Sequence, residues 1–142
     1  MATPAHLEDR RSALTGHCYR MLGSVVEFFR KLGFDFNQQF TDDKAACMVL
    51  SEDAFVMLLT EPFYKTFTKN DVCDTRRETE GLFALSCEKP GEVDDLVKKA
   101  VAAGGAHAMD PMDQGFMYGW SFYDLDRHHW EVLWMDPAAI GQ

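Results

Sequence analysis

Glu131 stands between Trp130 and Val132 in the run His128-His-Trp-Glu-Val-Leu-Trp134. Side chains of a strand alternate between two faces. Trp130, Val132 and Trp134 therefore share one face, and His129, Glu131 and Leu133 share the other. A lone buried carboxylate is costly, so Glu131 must meet water or line a polar cavity. There it can bind a cationic or hydroxyl-bearing ligand, ligate a metal, or act as a catalytic general base. His129 lies on the same face and can lend an imidazole. His128 points the other way, so the His128-His129 pair cannot easily hold one ion. Ser121 has no evident His/Asp relay that would make it a nucleophile. His107 follows a double glycine and reads as exposed. No glycine-rich phosphate loop is present.

The elements that must position these residues can be read from periodicity and punctuation. Ser24–Gly33 reads as a helix with Val25, Phe28, Phe29 and Leu32 as its apolar stripe. Ser24 and Glu27 are spaced as a capping box, and Gly33 is the stop. Residues 34–40, 45–50 and 55–60 read as strands. Glu61–Glu80 reads as a long connection with a helical turn or two. Then come a strand over 81–87, a helix over 92–103, and strands over 106–109, 116–123 and 128–135. Acids in the first turn of the second helix suit its dipole, and Gly104-Gly105 ends it. Each half is thus a helix stopped by glycine and followed by three strands, and the second half adds an opening strand. The fold class expected is α+β with two βαβββ modules. Residues 1–21 form an atypical N-terminal segment, 22–78 the first module and connection, 79–136 the second module, and 137–142 a C-terminal tail.

Composition excludes several classes of partner. The chain has 142 residues, 46% hydrophobic, with 23 acids against 14 Lys and Arg, a net charge of −9. Nucleic acid and anionic membrane surfaces call for a basic face, and only the short pairs Arg10-Arg11, Arg76-Arg77 and Lys98-Lys99 are present. No apolar run approaches the roughly 20 residues of a membrane span. Cys18, Cys47, Cys73 and Cys87 show no CxxC spacing and read as reduced thiols, so a cytoplasmic location is expected. The methionines read as core or adaptable pocket walls.

Four stretches carry a family resemblance: Ser24-Val-Val-Glu-Phe-Phe-Arg-Lys-Leu-Gly-Phe34, Phe55-Val-Met-Leu-Leu-Thr60, Ala100-Val-Ala-Ala-Gly-Gly105 and Phe122-Tyr-Asp-Leu-Asp-Arg-His-His-Trp-Glu131. Together, over about residues 22–136, they resemble the vicinal-oxygen-chelate superfamily, which includes lactoylglutathione lyase, bleomycin-resistance proteins, fosfomycin-resistance transferases and extradiol dioxygenases. The resemblance implies paired βαβββ modules around an open barrel-like cavity, commonly in homodimers. In catalytic members a divalent metal in that cavity chelates adjacent substrate oxygens. Glu131, seven positions after Asp124, matches the family's last-strand ligand. The other ligand positions fall on Leu82, on Leu58 and on the stretch Arg11-Ser-Ala-Leu-Thr-Gly16, none with a donor of the expected kind, and His17 falls out of register. One metal ligand of four is retained, too few to repay the dehydration of a divalent ion.

Two departures bear on the site. Arg10, Arg11, His17 and Arg20 interrupt every candidate opening strand, so the first strand of the first module is doubtful. Arg127 stands where the family turn has Gly, a position of positive φ that costs another residue roughly 1 kcal/mol. If the bulged turn persists, Gly119, Ser121 and Tyr123 share the cavity face with His129, Glu131 and Leu133. If a tight two-residue turn replaces it, Tyr118, Trp120 and Phe122 take those places. The bulged form is preferred, with Val56, Leu58, Thr60, Leu82, Ala84 and Ser86 on the opposite walls. The expectation is a small-molecule-binding protein of the glyoxalase/bleomycin-resistance kind, with an apolar cavity, an incomplete metal site and no other cofactor. The alternative is a metal-dependent lyase or dioxygenase that uses Glu131 as a ligand.

Overall fold

The structure, a computed structural model, describes residues 11–140. The first ten residues of the atypical N-terminal segment and the last two of the C-terminal tail lie outside the described residues. The chain is α+β, with one four-stranded and one five-stranded sheet, neither of them closed. The described residues group into two compact units: 11–22 with 34–70, and 23–33 with 71–140.

The first unit holds β1 (Ala13–Tyr19), β2 (Asp35–Asn37), β3 (Ala45–Ser51) and β4 (Ala54–Thr60), in the sheet order β1-β4-β3-β2. The doubtful opening strand does form. β1 runs parallel to β4 over seven residue pairs, from Ala13 level with Ala54 to Tyr19 level with Thr60. The two arginines expected to break it within the described chain flank it instead, Arg11 before and Arg20 after. His17 is accommodated inside, fully buried and level with Leu58. A parallel ladder on a strongly apolar neighbour supplies what the strand's own pattern lacks. β2 is shorter than the alternation over 34–40 implied, because Gln38–Phe40 turns into a 3-10 helix whose first free amide is capped by Asn37. Two short helical turns follow β4: α2 (Glu61–Tyr64), which packs on β1 and β4, and a 3-10 turn over Lys65–Phe67.

The second unit holds α1 (Leu22–Lys31), β5 (Leu82–Cys87), α3 (Pro90–Ala102), β6 (Ala106–His107), β7 (Met112–Asp113), β8 (Met117–Tyr123), β9 (His129–Met135) and α4 (Pro137–Ile140). Its sheet runs β5-β9-β8-β6, with β7 also on β8. The helix of the first sequence repeat therefore belongs with the sheet of the second. α1 begins two residues before the expected start, so Ser24 sits inside its first turn rather than at the cap. Gly33 ends it with φ +102°.

One face of the second sheet is its core face. Phe28 packs on Phe122 at 6.3 Å and Phe29 lies edge-on to Trp130 at 5.3 Å, while Phe122 and Trp130 stack nearly parallel. Val93, Val97 and Ala100 of α3 are fully buried, and α3 packs on β8 and β9. Burying side chains of this size contributes about 1.5–3 kcal/mol each.

α3 is also tied to β8 by a hydrogen bond from the Tyr118 hydroxyl to Asp94 Oδ1 at 2.5 Å. The hydrogen bond to Asp94 holds the phenolic proton, and with burial and the nearby negative charge it pushes the Tyr118 hydroxyl up to about 12. The folded protein then holds this proton more tightly than the unfolded chain, so stability falls as pH rises from about 10 through 12. Tyr118→Phe is expected to cost about 1 kcal/mol at neutral pH, a value discounted for partial exposure, and to flatten that alkaline loss. Denaturant titrations of both proteins at pH 8 and pH 11 check this.

Candidate functional site

The β8–β9 hairpin builds the site around Glu131. Asp124 to Arg127 forms the turn, with the Arg127 amide donating to the Asp124 carbonyl at 3.0 Å and the Asp124 amide to the His128 carbonyl at 3.1 Å. The buried Asp124 carboxylate closes it from inside. Its Oδ1 accepts from the amides of Asp126 and His128, both at 3.0 Å, and its Oδ2 from the Trp130 indole at 2.9 Å. The connection before β5 is pinned to the same turn. The Thr75 hydroxyl donates to the Asp126 carbonyl, and Glu80 pairs with His128 Nδ1 at 3.0 Å.

Arg127 has φ +66°, the only positive φ outside glycine among the described residues. The bulged turn thus persists with an arginine in the glycine place. Its guanidinium lies 4.3 Å from the centre of the Tyr123 ring. A cation over an exposed ring is worth about 0.5–1 kcal/mol, similar to the backbone strain.

The turn sets the register. Gly119, Ser121 and Tyr123 stand level with Leu133, Glu131 and His129. On the other side, Leu82, Ala84 and Ser86 of β5 stand level with His129, Glu131 and Leu133. All nine share the face opposite Phe122 and Trp130. His129 Nε2 is 2.8 Å from Glu131 Oε2. A carboxylate only accepts, so the imidazole must donate through Nε2. Tyr123 lies edge-on to His129, with centroids 5.5 Å apart. The Glu131 side chain keeps a third of its surface exposed, and that of His129 a tenth. The result is a partly open carboxylate with a neighbouring imidazole oriented by it, backed by an aromatic ring.

The remaining candidates play other parts. Ser121 is buried and accepts the Met109 amide at 2.9 Å, which ties down the segment after β6. Gly119 leaves room for Leu133, whose Cδ2 would lie 2.7 Å from an added Cβ. Leu82 is largely exposed beside His129. His107 is exposed and stacks on Trp120 at 5.1 Å. Met112, Met117 and Met135, on the Glu131 face by register, extend that face as an apolar surface.

Leu58 lies in the other unit. It is fully buried, on the face of the first sheet that also carries His17 and Tyr19. Val56 shares that buried face. The open face is the alternate one, because a one-residue slip in reading a strand exchanges its faces. That face holds a cavity of about 520 Å³ lined by Leu14, Gly16, Met57 and Leu59 and roofed by Phe63 and Phe67, with Thr15, Tyr64 and Thr68 completing the wall. Sequence reasoning missed this pocket because residues 61–68 read only as a connection. The available signal was the Phe63/Phe67 spacing of one helical turn, which sets the two rings edge to face at 5.1 Å.

The chain is similar in overall structure to known proteins. The chain superposes on a hypothetical protein from S. aureus with a TM-score of 0.73 and 27% identity, over 86% of this chain and 92% of that one. It superposes on a glyoxalase-related enzyme from Fulvimarina pelagi with a TM-score of 0.74 and 16% identity, over 88% of each chain. The chain has the vicinal-oxygen-chelate fold. The fosfomycin resistance protein FosX from Mesorhizobium loti shares this fold at a TM-score of 0.63 and 13% identity, over 92% of this chain and 96% of that one. No family model and no curated protein matches the sequence.

Within the vicinal-oxygen-chelate fold, the donor set can be tested for a divalent metal. Among the described residues, no three His, Cys, Asp or Glu side chains gather closely enough to hold an ion. Beside Glu131 stand Ala84 and Ser121 on the adjacent strands, and Leu82 lies level with His129. One Glu131 oxygen is already engaged by His129. Two donors, one of them committed to the other, do not fit the three or four protein ligands that such ions take.

Proposed function

We propose that this protein binds a small organic molecule in a mostly apolar cavity, in the manner of the glyoxalase/bleomycin-resistance kind, without a full metal centre. The observation that carries the reading is the cavity of the first unit. Its volume of about 520 Å³ falls within the roughly 300–1,000 Å³ of small-molecule sites, and its mixture of apolar walls with a few hydroxyls is typical of them. In the second unit, taken by itself, the Glu131–His129 pair on the open sheet face is a separate polar point where a ligand hydroxyl or cation can dock. Leu82, Gly119, Ser121 and Tyr123 shape the surface around it. A homodimer and a cytoplasmic setting belong to this reading. No helix among the described residues is long and apolar enough to cross a membrane.

The second reading is a metal-dependent lyase or dioxygenase with Glu131 as a ligand. It is supported by the exposure of that carboxylate on an open sheet face and opposed by the donor set around it. A third, a scaffold with no ligand, is separated from the first by a thermal-shift screen of small organic molecules. At least one compound is expected to raise the melting temperature in a dose-dependent way. A screen in which no compound does so would contradict small-molecule binding.

A further inference from the structure

We propose that the cavity of the first unit selects an uncharged, flat aromatic molecule, and that Phe67 and Gly16 set this selectivity. The inference rests on the reading of that cavity as a ligand site and deepens it by naming the ligand class. Three observations carry it. First, no lining residue carries a formal charge. A carboxylate or ammonium placed there would lose water and meet no counter-ion from the lining, which is unfavourable. The Lys44 ammonium lies over the Phe63 ring, 5.8 Å from the centroid, without lining the cavity. The hydroxyls of Tyr64 and Thr68 suit a neutral donor or acceptor.

Second, the roof is aromatic. Phe63 and Phe67 already meet edge to face at 5.1 Å. Phe67 is 69% exposed, and a flat ring inserted beneath it would cover it. Aromatic pairs prefer such offset or edge contacts.

Third, the floor includes a bare backbone. Gly16 lies in β1, level with Met57, where a strand gains nothing locally from glycine. An added Cβ would meet only Leu59 Cδ1, at an ordinary contact distance of 3.5 Å. The glycine is therefore not required by packing. Its effect is to leave space, and a side chain there would project into the cavity.

The test uses two fluorescent probes that differ in charge, N-phenylnaphthylamine, which is neutral, and anilinonaphthalene sulfonate, which is an anion. The neutral probe is expected to bind with a blue-shifted, saturable rise in emission, and the sulfonate about tenfold more weakly or worse. Gly16→Leu is expected to weaken the neutral probe by about tenfold or more with the fold retained, as circular dichroism melts would show. Phe67→Ala, at an exposed position, is expected to weaken it roughly three- to tenfold. Equal or tighter binding of the sulfonate would overturn the ligand class and leave small-molecule binding standing. Binding of the neutral probe that Gly16→Leu does not change would overturn the assignment to this cavity. Silence from both probes together with a silent thermal-shift screen would sink the functional reading itself.

Discussion

Asp124→Ala is expected to destabilise the protein by about 3–5 kcal/mol. Three donors lose their acceptor at once, namely the amides of Asp126 and His128 and the Trp130 indole. Each buried donor left unsatisfied costs about 1–3 kcal/mol, and shared water access to the turn keeps the total below the sum. For a domain of this size the melting temperature should fall by roughly 10 °C or more. Asp124→Asn separates the contributions. It keeps an oxygen for the two turn amides but sets an amide nitrogen against the indole N–H, so it should lose less than Ala and should chiefly alter Trp130. Tryptophan fluorescence and thermal melts of both variants check this. A neutral Asp124→Ala would mean that the turn is held by its backbone alone. The functional consequence follows from register: the turn decides which face of β9 Glu131 occupies, so a loosened turn should also disturb the His129–Glu131 pair.

The second large effect is expected at Gly105. A Cβ there would lie 2.5 Å from the Tyr123 carbonyl oxygen and 3.0 Å from that of Ala100. Both are backbone atoms, so neither can swing aside. The neighbour on the third side is Phe28 Cε1 at 3.1 Å, itself fully buried. Gly105→Ala should therefore cost about 2–3 kcal/mol through overpacking, and Gly105→Val more. By contrast, a Cβ at Gly119 crowds only the far end of Leu133, the Val132 carbonyl oxygen lying at an ordinary 3.5 Å, so Gly119→Ala should be milder. Denaturant unfolding of the two alanine variants side by side tests the contrast. Equal losses would contradict the role of rigid backbone at Gly105.

The contrast between these glycines shows what the sequence could carry and what it could not. Gly104-Gly105 was legible as a helix stop, but the close approach of α3's end to the Tyr123 carbonyl is a tertiary fact with no local signature. The two strands of the β8–β9 hairpin were legible from their alternation, but their register stayed open between two turn forms until the positive φ of Arg127 and the pairing decided it. Given the bulged turn, the pairing of Ser121 with Glu131 and of Tyr123 with His129 follows from counting. β1 was not legible. Its apolar content is too low to stand alone, and the parallel ladder to β4 that stabilises it is a long-range contact. Nor was the facing of β4, since Phe55 to Leu59 is apolar at every position and a strand buried on both sides gives no alternation to read. Leu58 was assigned a cavity wall by alternation and by its place in the family motif; it is buried, and Met57 and Leu59 line the cavity of the first unit. The Glu80–His128 contact and the indole bond to Asp124 also escaped, because buried polar pairing depends on elements far apart in sequence.

The central claim is that the protein binds a small molecule without a working metal centre at Glu131. Calorimetric titration with Ni²⁺, Zn²⁺, Mn²⁺ and Fe²⁺ tests it most directly. The donor set predicts no micromolar binding by the natural sequence and no difference in Glu131→Gln. Micromolar binding of any of these ions that disappears in Glu131→Gln would contradict the account.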